Sequence, residues 1–159
     1  MPTRKLVVHS ESGLVQTIVA GAHLLVADEP VGSGGADTGP SPYELLLASL
    51  GACTSMTVRL YANHKDWPLE RVTVRLEHWK VEPDPHGGDV EPVDEIRRVV
   101  VLVGDLSAEQ RDRLLDVAGK CSVSRTLARS VRIATLLGSE DEQKSSGTRK
   151  ATMEVINHE

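Results

Sequence analysis

The feature that most constrains the fold is a long apolar segment with a sharply defined start. Ser41, Pro42 and Glu44 form the pattern of a helix N-terminus, namely an N-cap, a first-turn proline and a capping-box acid. From Leu45 to Val58 nearly every residue is apolar or small, and Pro68 sets the limit of the helix. A helix that is apolar all round is normally buried. We therefore expect one long helix at the centre of the fold or at a subunit interface.

Short strand patterns lie on both sides of this helix. The predicted strands cover residues 4–9, 14–20, 23–27, 71–81, 95–103 and 130–136. Two further helices are predicted at 107–119, where Ser107 and Gln110 form a capping box, and at 123–129. Strands that are grouped rather than alternating with helices predict an α+β fold, with antiparallel sheets around the apolar helix. We expect one domain over residues 4–136 and a charged, flexible C-terminal tail over 137–159.

Composition excludes several classes of function. The chain has 159 residues and a net charge of −5, which argues against nucleic-acid binding. No run of apolar side chains reaches the ~20 residues of a membrane helix, and the N-terminus lacks a signal-peptide pattern, so we expect a cytoplasmic protein without a membrane partner. The glycine-rich loop 28–42 lacks the Lys-Ser/Thr ending of a phosphate-binding loop, and no metal-ligand spacing is present. We therefore expect neither a cofactor nor a metal.

The chain has two cysteines, Cys53 and Cys121, and their surroundings differ. The helical neighbours of Cys53 are all neutral, which favours a small buried hydrophobic residue over a reactive thiol. Cys121 lies beside Lys120, four residues before Arg125, and precedes a short helix whose N-terminus favours anions. For Cys121 the reactive and the structural interpretation are equally open.

Two segments carry these cysteines 68 positions apart: GPSPYELLLASLGACTSMTVRLYA at 39–62 and KCSVSRTLA at 120–128. A cysteine late in an apolar helix, combined with a K-C-x-V-S-R motif, resembles the OsmC/Ohr family of thiol-dependent hydroperoxide reductases. The resemblance covers residues 4–136. It implies an OsmC-like fold and an intertwined homodimer with active sites at the subunit interface.

The resemblance also implies a mechanism and roles for both cysteines. Cys53 would be the peroxidatic thiol, which attacks an organic hydroperoxide and becomes a sulfenic acid. Cys121 would be the resolving thiol, which converts the sulfenic acid to a disulfide. The family's usual reductants are dithiols such as lipoyl groups, so we expect a partner of that kind.

Members of the family activate the first cysteine with an Arg from the N-terminal region, and this chain has no Arg between Arg4 and Arg59. His23 is a candidate to replace that Arg as a hydrogen-bond donor to Cys53, although a single His at a strand start is usually structural. Arg125 is a second candidate, because it could stabilise either thiolate or form an ordinary ion pair.

The family also places a Glu early in the apolar helix, at the position that aligns with Tyr43. Glu44 is one residue later and is therefore rotated by about 100° around the helix axis. Glu44 is a candidate catalytic residue, but the sequence favours a capping role over an orienting one.

Two hypotheses follow. The leading one is an enzyme, a thiol-dependent peroxidase that reduces organic hydroperoxides through a two-cysteine cycle. The alternative is a non-enzymatic OsmC-like dimer that binds an apolar small molecule or senses redox state. The missing N-terminal Arg favours the alternative.

Overall fold

The computed structural model describes residues 5–82, 92–129 and 131–137. Its central element is the 23-residue helix α1, Pro42–His64. The hydroxyl group of Ser41 accepts a hydrogen bond from the backbone N–H of Glu44, and the Glu44 carboxylate accepts one from the backbone N–H of Ser41. The backbone N–H groups of Ser41 and Glu44, which have no partner within the helix, are thus satisfied, and this fixes the start of the helix. The predicted N-terminus of the apolar helix is confirmed.

Within the described residues, two separate antiparallel sheets accompany this helix. The first contains strands β1 (Val7–His9), β2 (Gln16–Ala20) and β3 (His23–Ala27), paired in chain order. The second is a long hairpin of β4 (Leu69–Val81) and β5 (Val93–Gly104). Helices α2 (Ala108–Gly119) and α3 (Ser122–Leu127) follow, and a single 3₁₀ turn at Val31–Ser33 precedes α1. The predicted α+β class with antiparallel sheets around a long apolar helix is confirmed.

One face of the β4–β5 hairpin packs on α1. Every second residue of β4 is half-buried from Val72 to His78, and the intervening side chains are exposed, as the alternating sequence predicts. The core between the hairpin, α1 and α2 consists of Val58, Ala62, Leu69, Leu106, Leu114 and Ala118. The ring of Tyr43 stacks on His78, whose Nε2 is 2.8 Å from Asp94 Oδ1. These contacts hold the first turn of α1 against the hairpin.

The loop before α1 is organised around a buried carboxylate. Asp28 is 2% exposed and accepts hydrogen bonds from the backbone N–H groups of Thr38, Glu29 and Ala36 and from the Thr38 hydroxyl group. These bonds, led by that of the Thr38 N–H, lower the pKa of Asp28 against the opposing effect of burial. A Cβ atom at Gly35 would collide with the Glu29 carbonyl group. The segment predicted as a loop is a loop, and the hydrogen bonds of Asp28 and the close packing at Gly35 define its path.

A single chain buries only one stripe of α1, namely Leu50, Thr54, Val58 and Ala62. Met56 and Leu60 remain 64% and 69% exposed. By length and composition alone α1 could cross a membrane, so the expectation that the chain lacks such a segment is wrong for this helix. Core helices of globular proteins pass the same test, and α1 packs against β4, α2 and α3. Because α1 is apolar on all sides, the sequence predicted that the whole helix would be buried. A single chain buries only part of it.

The prediction of a last strand at 130–136 is wrong. Residues 131–137 have no regular secondary structure, and Ile133 and Leu136 are 84% and 90% exposed. Alternating apolar residues form a strand only where a neighbouring strand satisfies their backbone groups, and no strand in the described residues pairs with them. The predicted tail lies outside the described residues apart from Leu137.

Candidate active site

Cys53 lies midway along α1, on the side that contacts α3. Its thiol is partly exposed, and its Sγ is 3.4 Å from the hydroxyl oxygen of Ser122. The Cys53 carbonyl group accepts a hydrogen bond of 2.7 Å from the Thr57 hydroxyl group, one helical turn further along. Cys53 is thus held on a long helix, with its sulfur accessible from one side.

Cys121 occupies the junction between α2 and α3 and is 1% exposed. It is the N-cap of α3, where its sulfur accepts a hydrogen bond of 3.3 Å from the backbone N–H of Ser124. Ser, Thr, Asp and Asn usually fill this position, so a thiol takes over the acceptor role of a hydroxyl group or carboxylate. The turn therefore fixes both the place and the direction of the Cys121 side chain.

The fold brings the two cysteines together across the contact between α1 and α3. Both are free thiols, and the Ser122 hydroxyl group, from the residue after Cys121, lies 3.4 Å from the Cys53 sulfur. The hydroxyl group of Thr54, the residue after Cys53, lies 3.6 Å from the Cys121 sulfur. Residues that are 68 positions apart in sequence are therefore side by side, as sulfenic acid–disulfide chemistry requires.

The surroundings of Cys53 favour its thiolate. Burial alone raises the pKa of the thiol, but hydrogen bonds from the Ser122 hydroxyl group and from the Val123 and Ser122 backbone, with the Cys121 thiol nearby, outweigh it. The pKa of Cys53 is consequently below its ordinary value. Because the thiolate is the nucleophilic form, this lowering increases the reactive fraction near neutral pH.

An open groove of about 470 Å³ lies between α1 and β4. Cys53 is not one of its lining residues, because its side chain is directed to the other side of α1, toward α3. A Cβ atom at Gly51 would lie 3.0 Å from the Leu76 side chain, so the glycine permits the close approach of helix and strand. The volume is within the range of small-molecule sites, ~300–1,000 Å³. The lining is largely apolar: Glu44, Leu47, Ala48, Gly51, Ala52, Ser55, Val74 and Leu76.

Glu44 lies at the start of α1, where both hydrogen bonds of its Oε2 come from Ser41, at 2.8 and 2.9 Å. The Ser41 backbone N–H, followed by the Ser41 hydroxyl group, lowers the pKa of Glu44. The predicted capping role of Glu44 is confirmed. A role in orienting Cys53 stays a prediction, and Glu44 lines the groove on the other side of α1.

The other two candidates lie in exposed positions. His23 is the first residue of β3 and pairs with Ala20 across the β2–β3 hairpin. Arg125 is in the last turn of α3. Among the described residues, neither side chain makes a hydrogen bond with Cys53 or Cys121, and their catalytic roles stay predictions.

Three residues of the site were not predicted: Thr54, Ser122 and Arg98. Arg98 lies on β5, and its guanidinium group donates a hydrogen bond of 3.0 Å to the Thr54 hydroxyl group. The sequence held one usable signal for it. Arg97 and Arg98 are consecutive in a strand, so one of the two must point to the helix-packed face.

The fold and the site define a class of protein, an α+β protein with a thiol pair at a helix–helix contact. The family model of OsmC-like proteins matches residues 34–135, and the chain belongs to the OsmC-like family. No curated protein matches the sequence.

Solved structures share this fold at low sequence identity. An OsmC-like protein from Mycoplasma pneumoniae has a TM-score of 0.66 at 19% identity, with 80% of this chain and 88% of that chain covered. An organic hydroperoxide resistance protein OsmC from Legionella pneumophila has a TM-score of 0.60 at 20% identity, with 80% and 90% covered. An organic hydroperoxide resistance protein from Elizabethkingia anophelis has a TM-score of 0.58 at 18% identity, with 79% and 88% covered.

Proposed function

We propose that this protein reduces organic hydroperoxides, with Cys53 as the peroxidatic thiol and Cys121 as the resolving thiol. The observation that carries the proposal is that both cysteines lie at the contact between α1 and α3, where each sulfur is within 3.6 Å of the hydroxyl group of the other cysteine's neighbour, together with the lowered pKa of Cys53. A buried structural cysteine needs neither a second thiol nor a set of donors directed at its sulfur.

The proposed cycle has three steps. The Cys53 thiolate attacks the terminal oxygen of the hydroperoxide, and the O–O bond breaks. Cys53 becomes a sulfenic acid, and the alkoxide takes up a proton and leaves as an alcohol. Cys121 then attacks the Cys53 sulfur, the S–O bond breaks, and water leaves as the disulfide forms. Finally a dithiol reductant, such as a lipoyl group, restores both thiols by exchange and is itself oxidised to a disulfide.

The groove supports an organic hydroperoxide as the substrate. Leu47, Val74 and Leu76 give it an apolar wall along α1, and Cys53 is on the other side of the same helix, toward α3. Such a surface favours the alkyl or aryl part of an organic hydroperoxide over hydrogen peroxide, which has no apolar part to bury. The Legionella pneumophila and Elizabethkingia anophelis proteins, described as organic hydroperoxide resistance proteins, agree with this substrate class.

We further propose that the working form is a cytoplasmic homodimer. The exposed side chains of Met56 and Leu60 on α1 leave an apolar face that a second copy would cover. The three-stranded sheet also exposes Leu24 and Leu25 of β3, and a partner subunit would shield these as well. A partner over α1 would close the groove from its open side.

One observation favours the alternative, a non-enzymatic dimer that binds an apolar molecule or senses redox state. Within the described part of the chain, no Lys, Arg or His side chain makes a hydrogen bond with Cys53. The hydrogen bonds that lower the Cys53 pKa come from neutral groups. A site with only neutral donors could bind a ligand in the groove without rapid peroxide reduction.

Turnover distinguishes the two functions. Purified protein is mixed with cumene hydroperoxide and dihydrolipoamide, and peroxide loss is followed over time. A peroxidase consumes many equivalents of cumene hydroperoxide per chain and is much less active with hydrogen peroxide. If the wild-type protein consumes cumene hydroperoxide no faster than the Cys53→Ser variant, the peroxidase proposal is refuted and the non-enzymatic alternative is favoured.

A further inference from the structure

A chain of polar contacts leads from β5 to the resolving thiol. The Arg98 guanidinium group donates to the Thr54 hydroxyl oxygen at 3.0 Å, and this oxygen lies 3.6 Å from the Cys121 sulfur. Thr54 is fully buried, and its hydroxyl group also donates to the Leu50 carbonyl oxygen at 2.8 Å. A permanent positive charge is therefore one hydroxyl group away from Cys121.

The single hydroxyl proton of Thr54 restricts how this chain can be arranged. While that proton is directed at Leu50, the Thr54 oxygen can only accept, so the Cys121 S–H must donate to it. If Cys121 is a thiolate, the Thr54 hydroxyl group must turn and donate to the sulfur instead. The Arg98 bond to the Thr54 oxygen is compatible with both states, and it polarises the hydroxyl group into a stronger donor in the second.

Arg98 lies on a half-buried, apolar face of the sheet, which is an unusual position for an arginine without a functional or structural role. It lies on the inner face of β5, in the same row as the half-buried residues Ile96, Val100 and Leu102. Its neighbour Arg97 points outward and lies 3.8 Å from the exposed Glu77. An arginine among apolar residues costs desolvation energy that an aliphatic side chain would avoid. Arg97 therefore provides a matched control for Arg98.

We propose that Arg98 is a positioning residue that acts through the Thr54 hydroxyl group to stabilise the Cys121 thiolate as it attacks the sulfenic acid. This role rests on the proposed two-cysteine cycle. In that step the new S–S bond forms with the thiolate electron pair, the S–O bond of the Cys53 sulfenic acid breaks, and the proton released by Cys121 leaves with the hydroxide as water. The Cys121 sulfur is oxidised and the Cys53 sulfur is reduced.

The first experiment measures resolution apart from peroxide reduction. Reduced protein receives one equivalent of cumene hydroperoxide, and the Cys53 sulfenic acid is trapped with dimedone at successive times across a pH series. In Arg98→Met and Thr54→Val we expect resolution to be about tenfold slower at neutral pH, and nearly normal at alkaline pH. Sulfenic acid formation should stay at the wild-type rate, Arg98→Lys should recover part of the loss, and Arg97→Met should resemble wild type.

A second experiment needs no peroxide. In the Cys53→Ser background Cys121 is the only cysteine, so its rate of reaction with a small thiol reagent reports on Cys121 alone. We expect adding Arg98→Met to slow this reaction at neutral pH, and adding Arg97→Met to leave the rate unchanged. Melting temperatures of all variants verify that they are folded. Thr54→Ser keeps the hydroxyl group and should resemble wild type, and Arg98→Met carries the test if Thr54→Val does not fold.

The outcomes separate this proposal from the cycle itself. A wild-type protein that forms a disulfide, with Arg98→Met equally fast at every pH, would overturn the role of Arg98 and leave the cycle intact. A wild-type protein that forms no disulfide would overturn the cycle and, with it, the role of Arg98 in turnover. In the Cys53→Ser background, an equal reaction rate of Cys121 with and without Arg98→Met would overturn the stabilisation of the thiolate directly.

Discussion

The hydroxyl group of Ser122 lies 3.4 Å from the thiol of Cys53, across the contact between α1 and α3. Ser122 directly follows Cys121, so the turn that places the second thiol also supplies a donor to the first. The Ser122 and Val123 backbone groups reinforce this effect on the Cys53 pKa. One short segment thus provides both a reaction partner and an activating environment.

The first prediction concerns disulfide formation. Because Cys53 and Cys121 both lie at the contact between α1 and α3, one equivalent of organic hydroperoxide should convert their thiols to a disulfide within one chain. Intact mass spectrometry without reductant should show a mass lower by the two thiol hydrogens, and peptide mapping should join the two cysteine peptides. Disulfide-linked dimers as the main product would contradict the pairing.

The second prediction separates the roles of the two cysteines. Cys53→Ser should abolish peroxide consumption, because the thiol that attacks the peroxide is removed. Cys121→Ser should reduce one equivalent of hydroperoxide and then stop as a Cys53 sulfenic acid, which dimedone traps. Full multiple-turnover activity in both variants would show that the assignment is wrong.

The third prediction uses the pH dependence of Cys53. The Ser122 hydroxyl group stabilises the thiolate, so Ser122→Ala should raise the pKa of Cys53 and move its alkylation curve to higher pH. At neutral pH we expect alkylation to be roughly fivefold slower, the factor that ~1 kcal/mol represents, with the rates converging at alkaline pH. Iodoacetamide labelling in the Cys121→Ser background measures this. Ser124→Ala is the control, and an equal shift there would refute a specific role of Ser122.

The fourth prediction concerns Glu44, whose hydrogen bonds go to Ser41. Glu44→Gln keeps an acceptor for the Ser41 N–H, so the melting temperature should fall by only about 1–2 °C. Peroxidase activity should remain within about twofold of wild type, whereas loss of an orienting carboxylate would cost ~10-fold or more. A large loss of rate at an unchanged melting temperature would assign Glu44 a catalytic role.

The fifth prediction is a homodimer in which α1 is shared. Light scattering at micromolar concentration should give twice the 17.2 kDa chain mass, since an apolar face of this kind calls for an interface above ~2,000 Å². Leu60→Glu should weaken or dissociate the dimer, and Leu60→Met should leave it intact. A wild-type particle of one chain mass would exclude the dimer.

Much of the fold could be predicted because its signals act between near neighbours. The capping boxes at Ser41–Glu44 and Ser107–Gln110 each join residues three positions apart, and both form as predicted. The alternation along β4 likewise follows from strand geometry alone. The strand predicted at 130–136 failed because its pattern had no neighbouring strand to pair with among the described residues. Local pattern is sufficient for a cap but not for a sheet.

The candidate site also has a part that the sequence predicts and a part that depends on the tertiary structure. The sequence by itself determined the family, the long apolar helix and the identity of the two cysteines. Only the tertiary structure decided that Ser122 reaches Cys53 and that Arg98 reaches Thr54, because these contacts join residues 69 and 44 positions apart. Their formation depends on how α3 and β5 pack on α1. Side-chain chemistry is encoded locally, whereas the environment that tunes it is created by long-range packing.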